Sequence, residues 1–253
     1  MARFKAVSHE DRLTLVEHLD ELRTRLVVSL AVVGVAFALC FWQNHLLIDL
    51  AKNPLPADHD RLITFGVAEP FTTTVTVAAY GAIILALPIV LYQLYAYVIP
   101  AFSDAEKRVI RPLVALIPLL FLVGVVFSYF IVMPAALKFL TNFNDDQFNI
   151  QIRARDYFSF FGITTLAVGV IFELPVAILA LTRLGIITPA QMRSNRRYAY
   201  FVLAVIAAAL PGVDPVTMII ETVPLILLYE LSILLARAFG RPASGALPAT
   251  QEH

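Results

Sequence analysis

His18-Leu-Asp-Glu-Leu-Arg-Thr-Arg-Leu26 is a charge-dense segment that continues without a break into 22 uncharged residues, Leu26 to Leu47. The hydrocarbon core of a bilayer is about 30 Å thick, so roughly 20 apolar residues in a helix are enough to cross it. The uncharged part is therefore predicted to be a membrane span. The charged part is predicted to hold carboxylates and guanidiniums at the membrane surface, where they could bind a charged partner.

The composition of the whole chain predicts an all-α, polytopic membrane protein. Of its 253 residues, 59% are hydrophobic and 15% are charged, and the mean hydropathy is +0.79. Soluble domains average about 45–50% apolar and 25% charged residues. This composition excludes a soluble enzyme. No spacing typical of a nucleophile, a metal site or a phosphate loop occurs in the sequence, so we expect no enzymatic activity, no cofactor and no nucleic-acid partner.

Apolar runs of membrane-spanning length recur along the chain and predict a single transmembrane domain over residues 1–237. The six predicted spans are 26–47, 73–99, 112–136, 157–182, 197–211 and 215–236. The last two are short, since Tyr198 to Leu210 covers about 20 Å at 1.5 Å per residue. The tail, residues 238–253, has few apolar residues and is predicted to be a disordered cytoplasmic segment.

Proline residues inside the apolar runs predict bent and tilted spans. An interior proline removes a backbone donor and crowds the carbonyl four residues earlier, which kinks a helix. Kinked helices of unequal length predict a cup-like arrangement with a concave face. Nine of the 15 prolines lie inside or at the edges of apolar runs: Pro88, Pro100, Pro112, Pro118, Pro134, Pro175, Pro211, Pro215 and Pro224.

The distribution of basic residues predicts the orientation of the chain. Six spans place both termini on one side, and 14 Lys and Arg residues fall in segments on that side, against five on the other. Basic residues concentrate on the cytoplasmic side of membrane proteins. We therefore expect both termini in the cytoplasm and a multi-pass chain in the plasma or inner membrane.

The charged segment before the first span has helical periodicity. Four leucines between residues 15 and 26 are spaced 4, 3 and 4 apart, which places them on one face of a helix. Periodicity alone leaves two interpretations open. In one, Arg23 and Arg25 anchor the first span by reaching to the lipid headgroups, and the acids balance them. In the other, the charged side chains bind a partner.

Glu173 is predicted to lie well inside the hydrocarbon layer, with 16 uncharged residues before it and nine after it. An ionised acid at that depth costs a few kcal/mol, so such residues face a cavity, pair with another group or carry a proton. A functional role is the default hypothesis. The alternative is a neutral acid that is hydrogen-bonded to a neighbouring span. Glu221 and Glu230 in the last span are less informative, because Glu230 is close to a predicted helix end.

The motif of residues 18–26 resembles the H-L-x-E-L-R-x-R-L element of the TatC family, the multispanning subunit of the twin-arginine protein translocase. Six further elements agree in order along about 220 residues. They are Pro54 with Glu69-Pro-Phe71, Leu91-Tyr-Gln-Leu-Tyr-Ala-Tyr-Val-Ile-Pro-Ala-Phe102, Glu106-Lys-Arg108, Phe172-Glu-Leu-Pro-Val176, Gly185-Ile-Ile-Thr-Pro189 and Arg196-Arg-Tyr198.

The resemblance implies a signal-peptide receptor and core channel component that exports folded proteins across the membrane with the proton-motive force. The implied partners are twin-arginine signal peptides, the single-span proteins TatA and, where present, TatB, and further copies of the chain in a homo- or hetero-oligomer. The implied signal-peptide site comprises Glu21, Glu106, Arg23, Tyr97 and Leu19, with the two glutamates reading the arginine pair, Arg23 orienting them and Tyr97 forming an aromatic wall.

The resemblance also implies roles for residues outside the peptide site. Glu173 would contact the transmembrane helix of a partner, Pro54 and Glu69 would belong to an extracytoplasmic cap, and Asp214 would belong to the turn between the two short spans. The sequence departs from the family at Leu210-Pro-Gly-Val-Asp214, which has one extra residue, and at Thr217-Met218, where relatives commonly have Ser-Gln. Because this glutamine is absent, the resemblance gives weaker support for the partner-binding site that is usually assigned to this position in the family.

Two functions of other classes compete with this interpretation. A proton-coupled small-solute carrier would use Glu173 as its proton site, but the internal repeats common in such carriers are not visible. A purely structural membrane scaffold would leave the acids at residues 20, 21 and 106 without a role.

Overall fold

A computed structural model describes residues 9–56, 61–98, 116–210 and 214–239, and almost all of these residues are helical. Outside the helices, they form one isolated β-bridge, between Ile63 and Arg153. The prediction of an all-α fold is confirmed. In chain order the helices are α1 (His9–Trp42), α2 (Asn44–Lys52), α3 (Glu69–Val98), α4 (Leu116–Phe127), a π-helical turn (Ser128–Val132), α5 (Met133–Asn142), α6 (Ala154–Ile171), α7 (Leu174–Arg183), α8 (Pro189–Ser194), α9 (Arg196–Ala209) and α10 (Pro215–Phe239).

Five helical stretches in the described residues are long and apolar enough to cross a membrane, which agrees with a multi-pass membrane protein. They are His18–Trp42, Glu69–Tyr97, Leu116–Asn142, Ala154–Arg183 and Pro215–Phe239. The fifth predicted span, 197–211, corresponds to α9, which has only 14 residues and is about 21 Å long. The first span ends earlier than predicted, because the chain turns at Gln43 and continues as the short helix α2. The predicted tail lies largely outside the described residues, from residue 240 onward.

Two of the predicted proline distortions interrupt the helices, and two do not. Pro175 occupies the first turn of α7, directly after a break at Phe172 and Glu173. Pro134 occupies the first turn of α5, directly after the π turn. Proline suits a first turn, where its missing N–H has no helical partner. By contrast, α3 and α10 continue through Pro88 and Pro224.

Small residues allow α1 and α3 to pack closely. Ala78, Ala82 and Ala86 recur every four residues on one face of α3, and each is at most 1% exposed. They form a buried cluster with Ala36 and Cys40 of α1. Membrane helices approach most closely where such small side chains line the interface. The cluster fixes the relative position of the two helices that carry the peptide-binding residues predicted from the sequence.

A second close crossing joins α4 to α6. A Cβ atom added to Gly124 would lie 2.9 Å from the Gly169 Cα and 2.9 Å from the Phe172 Cβ, and essentially no real Cβ atom sits so close to another atom. One of these neighbours is backbone, so it cannot move aside as a flexible side chain would. The crossing therefore requires glycine at position 124, and it places α4 directly against the break that carries Glu173.

The end of the bundle that carries α2, here termed the α2 end, is closed by side-chain contacts between distant segments. Tyr157 donates a hydrogen bond to the carbonyl of Ala51 at 2.5 Å, and Tyr129 donates one to the carbonyl of Leu50 at 2.9 Å. Both carbonyls lie in the last turn of α2, and that of Leu50 also accepts from the Asn53 amide at 3.3 Å. The two tyrosines therefore attach α2 to α6 and to the π turn.

Candidate functional site

The end of the bundle opposite α2 brings two helical stripes face to face. On α1, His18, Glu21 and Arg25 follow the i, i+3, i+7 spacing of one helix face, and on α3 Gln93 and Tyr97 are four residues apart. The His18 and Tyr97 rings stack with their centroids 4.3 Å apart and their planes 14° from parallel. We refer to these five residues as the α1–α3 site.

Glu21 is held at this site by Arg25, one helical turn away. The Arg25 Nε and Nη2 atoms donate to Glu21 Oε1 at 3.0 and 2.5 Å, and Nη1 donates to Gln93 Oε1 at 2.9 Å. Both charged side chains are partly exposed, Arg25 to 24% and Glu21 to 34%. Within the described part of the chain, Glu21 Oε2 accepts no hydrogen bond. One carboxylate oxygen is thus fixed while the other can accept from a ligand.

The structure assigns the contact with Glu21 to Arg25 rather than to Arg23, which corrects the sequence prediction. Residues four apart share a helix face, whereas residues two apart point about 200° away from each other around the helix. Arg23 is exposed and forms no hydrogen bond or ion pair with any other described residue. The motif contained both arginines, and the i, i+4 rule is the signal that distinguishes them.

Leu19 is 62% exposed, and Leu22 and Leu26 on the same stripe are also exposed. This apolar stripe faces away from the other described helices, next to the face that carries Glu21. Glu106, the second predicted reader of the arginine pair, lies outside the described residues. Tyr97 is placed one residue before the end of the described part of α3.

Glu173 occupies the break between α6 and α7. It is 5% exposed, and neither of its carboxylate oxygens has a hydrogen-bond partner among the described residues. Tyr95 of α3 packs against the cluster formed by Ile117 of α4 and Val176 of α7, close in sequence to the acid. A buried acid without a partner is either neutral or awaits a donor from another molecule.

Glu221 is a second buried acid without a partner, although its place in the sequence made it less informative than Glu173. It is 3% exposed, and both of its oxygens also lack a partner among the described residues. The burial of Glu221 follows from the short helix α9. Because α9 is short, α10 begins deep in the bundle, and Glu221 lies beside Phe172, in the interior of the stretch Ala154–Arg183. By contrast, Glu230 accepts hydrogen bonds from Arg196 and Tyr200, each at 2.5 Å.

Glu69 and Arg153 form a clamp at the α2 end. Arg153 donates from Nε and Nη2 to the two Glu69 oxygens at 2.7 and 3.1 Å, and the Phe65 and Gly66 amides donate to Oε2. The hydrogen bonds from Arg153 to the Glu69 carboxylate raise the pKa of the Arg153 guanidinium above its usual range. The guanidinium also lies over the Phe65 ring, 5.4 Å from its centroid. Glu69 could be singled out from the sequence, but its partner Arg153 could not, because it lies 84 residues away.

The two remaining predicted residues both lie at turns. Pro54 follows α2, next to Leu55, which is buried in the core cluster of the α2 end. Asp214 caps the N-terminus of α10, and its Oδ1 accepts from the Thr217 amide at 2.7 Å. Asp214 is 3% exposed, so the cap is buried within the protein.

Comparison with known proteins points to one family. Residues 17–224 match the family described as Sec-independent protein translocase protein (TatC). This chain belongs to the TatC family. A relative from Listeria innocua, "Sec-independent protein translocase protein TatC", is 40% identical over 229 residues, which cover 90% of this chain and 92% of the relative. A relative from Bacillus subtilis, "Sec-independent protein translocase protein TatCy", is 35% identical over 244 residues, 96% of each chain.

The fold agrees with the same family. A crystal structure titled as that of the twin arginine translocase receptor TatC superposes with a TM-score of 0.76 at 34% sequence identity, and covers 89% of this chain and 100% of the other. A second crystal structure of the same receptor gives a TM-score of 0.75 at 33% identity, with 88% and 100% covered. The resemblance drawn from the sequence motifs is confirmed, and membership of a protein-translocase family does not favour the small-solute carrier.

Proposed function

We propose that this chain is the signal-peptide receptor and core membrane component of a twin-arginine protein translocase, and that Glu21 reads the arginine pair of the signal peptide. The observation that carries the proposal is the state of the Glu21 carboxylate. One oxygen is fixed by Arg25, the other accepts nothing from the described residues, and an aromatic stack of His18 and Tyr97 lies alongside.

The chemistry of guanidinium explains why such a site would prefer arginine to lysine. A guanidinium presents several N–H groups in a fixed planar fork, whereas a lysine ammonium is a compact point charge. Glu21 Oε2 would accept one N–H of the incoming arginine without displacing Arg25 from Oε1. The stacked His18 and Tyr97 rings offer a flat surface for the second arginine or for an apolar residue of the signal.

Glu106 is proposed as the second carboxylate of the site. The Arg25 charge already offsets that of Glu21, so a peptide with two positive charges needs at least one more acid nearby. Leu19, Leu22 and Leu26 supply an exposed apolar stripe on the next face of α1, which suits the hydrophobic part of a signal peptide that follows its arginines. The whole recognition surface would then lie on α1, α3 and the segment after α3.

We further propose six spans, with α9 as a short span, both termini in the cytoplasm and the chain in the plasma or inner membrane. The excess of basic residues near the α1–α3 site end and in the segment around α8 supports this orientation. Glu173, buried without a partner, is proposed as the contact for a transmembrane helix of a single-span partner of the TatA or TatB type. Export of folded proteins would then require an assembly of this chain with such partners and with further copies of itself.

The affinity of a labelled Arg-Arg signal peptide for the purified protein tests the proposal. Glu21→Gln keeps the side-chain shape and removes the charge, and we expect binding to weaken roughly 5- to 30-fold, about 1–2 kcal/mol for a charge-assisted hydrogen bond at a partly exposed site. Asp20→Asn is the matched control, because Asp20 is the neighbouring acid on an exposed part of α1. Equal affinities for wild type and Glu21→Gln would place the recognition site elsewhere.

A further inference from the structure

Three buried polar residues follow one face of the start of α10. Asp214, Thr217 and Glu221 have the i, i+3, i+7 spacing of a single helix face, and they are 3%, 0% and 3% exposed. Asp214 Oδ2, Thr217 Oγ1 and both Glu221 oxygens have no hydrogen-bond partner among the described residues. Buried polar atoms are nearly always paired with protein or ordered water, so four such atoms in one row require an explanation.

Glu221 lines a small cavity, with about 10 Å³ open to the centre of a water molecule. That is about the minimum space that one ordered water needs. Pro224 also lines the cavity, and because it lacks an N–H it leaves the carbonyl of Ile220 without its usual helical donor. The two Glu221 oxygens, which have no partner among the described residues, are the kind of polar atoms that hold a water. The other lining residues are apolar: Phe127, Val168, Ile171, Phe172, Leu210 and Leu225.

We propose that Asp214, Thr217 and Glu221 form a hydrated proton-binding site, in which a water fills the cavity and exchanges a proton with the Glu221 carboxyl. On protonation, a hydronium ion gives its proton to the carboxylate, which leaves a neutral carboxylic acid and a water; release is the reverse. Among the described residues, Asp214 is the other acid on this helix face, and the cavity wall contributed by the facing helices is apolar. Thr217 lies between the two acids on this helix face, and its unpartnered hydroxyl can bond a water that connects them.

Water suits the site better than a side chain of a partner protein does. Glu221 is 3% exposed and lines the cavity beside Phe172 and Leu210, so its carboxyl offers little surface to a transmembrane helix outside the protein. The site is separate from the α1–α3 site and does not depend on peptide recognition. It can be tested on the purified protein without cargo.

Infrared spectroscopy of the full-length protein in lipid nanodiscs, in H₂O and in D₂O, tests the site. We expect the C=O stretch of a protonated carboxylic acid that shifts in D₂O and is lost in Glu221→Gln. Glu230→Gln is the matched control, because Glu230 lies on the same helix but is paired with Arg196, so the band should remain. Glu173 can contribute a second acid band, which Glu173→Gln identifies. A spectrum unchanged by Glu221→Gln would overturn the proposal, and so would a Glu221 band that does not shift in D₂O.

A second variant keeps the test informative if Glu221→Gln does not fold. Thr217→Val preserves the side-chain shape, and the helix cap survives because Asp214 accepts from the Thr217 amide rather than from its hydroxyl. We expect the Glu221 band to persist and its exchange into D₂O to slow several-fold, because the buried hydroxyl that can bond a water between the two acids is gone. An unchanged exchange rate would remove Thr217 and Asp214 from the site and overturn the proposal as stated.

Discussion

Gly124→Ala is expected to destabilise the protein, because the added methyl group has no room at the crossing of α4 and α6. Its Cβ would lie 2.9 Å from the Gly169 Cα and from both the Cβ and Cγ of Phe172. Overpacking of this kind costs about 1–3 kcal/mol. For a chain of 150–250 residues, each kcal/mol shifts the melting temperature by about 2–4 °C. We therefore expect the melting temperature to fall by roughly 2–12 °C.

The chain supplies both the control and the probe for this prediction. A Cβ added to Gly34 in α1 would meet nothing within 4 Å, so Gly34→Ala should be neutral or slightly stabilising, since alanine favours helix by about 1 kcal/mol over glycine. Cys40 is the sole cysteine of the chain and is 3% exposed, so a thiol-reactive fluorogenic dye reports its exposure on unfolding. If Gly124→Ala melted at or above the temperature of Gly34→Ala, the close crossing described above would be refuted.

Three further predictions concern charged residues. Glu173→Gln should retain most transport activity if the acid acts as a neutral hydrogen-bonding group, and Glu173→Ala should lose more; equal export of a folded reporter by Ala and wild type would exclude the residue from the mechanism. Arg25→Gln should narrow the ratio of Arg-Arg to Lys-Lys peptide affinities, because Glu21 loses the donor that orients it; an unchanged ratio would count against that role. Glu69→Gln should make proteolysis at the α2 end faster, because a neutral amide binds the Arg153 guanidinium less strongly than a carboxylate does. Proteolysis at the rate of wild type would argue against the clamp.

The spans could be predicted from the sequence because each depends on local composition. A run of about 20 uncharged residues has few alternatives to a membrane helix, and the proline near Glu173 indeed marks a helix break. The predictions failed at positions where the local structure depends on contacts with residues far away in the sequence. The chain turns at Gln43 inside an apolar run, where α2 is held by tyrosines 79 and 106 residues away.

The candidate site was predicted only in part for the same reason. The motif identified Glu21, but not that Arg25 rather than Arg23 contacts it or that Gln93 of α3 completes the set. Helical spacing could have favoured Arg25, whereas nothing in the sequence places Gln93 beside it. The depth of Glu221 in the bundle depends on where α10 begins, and the length of α9 determines that position. This is a property of the assembled bundle.

Photo-crosslinking tests the central claim, that the α1–α3 site binds the arginine pair, most directly. A signal peptide with a photoreactive residue next to its two arginines would be bound to the purified full-length protein, and the crosslinked residues located by mass spectrometry. We predict crosslinks to residues 18–25 of α1 and to the end of α3 around Tyr97, with a yield that is reduced in Glu21→Gln and unchanged in Asp20→Asn. Crosslinks confined to other segments, or equal yields from wild type and Glu21→Gln, would contradict the account.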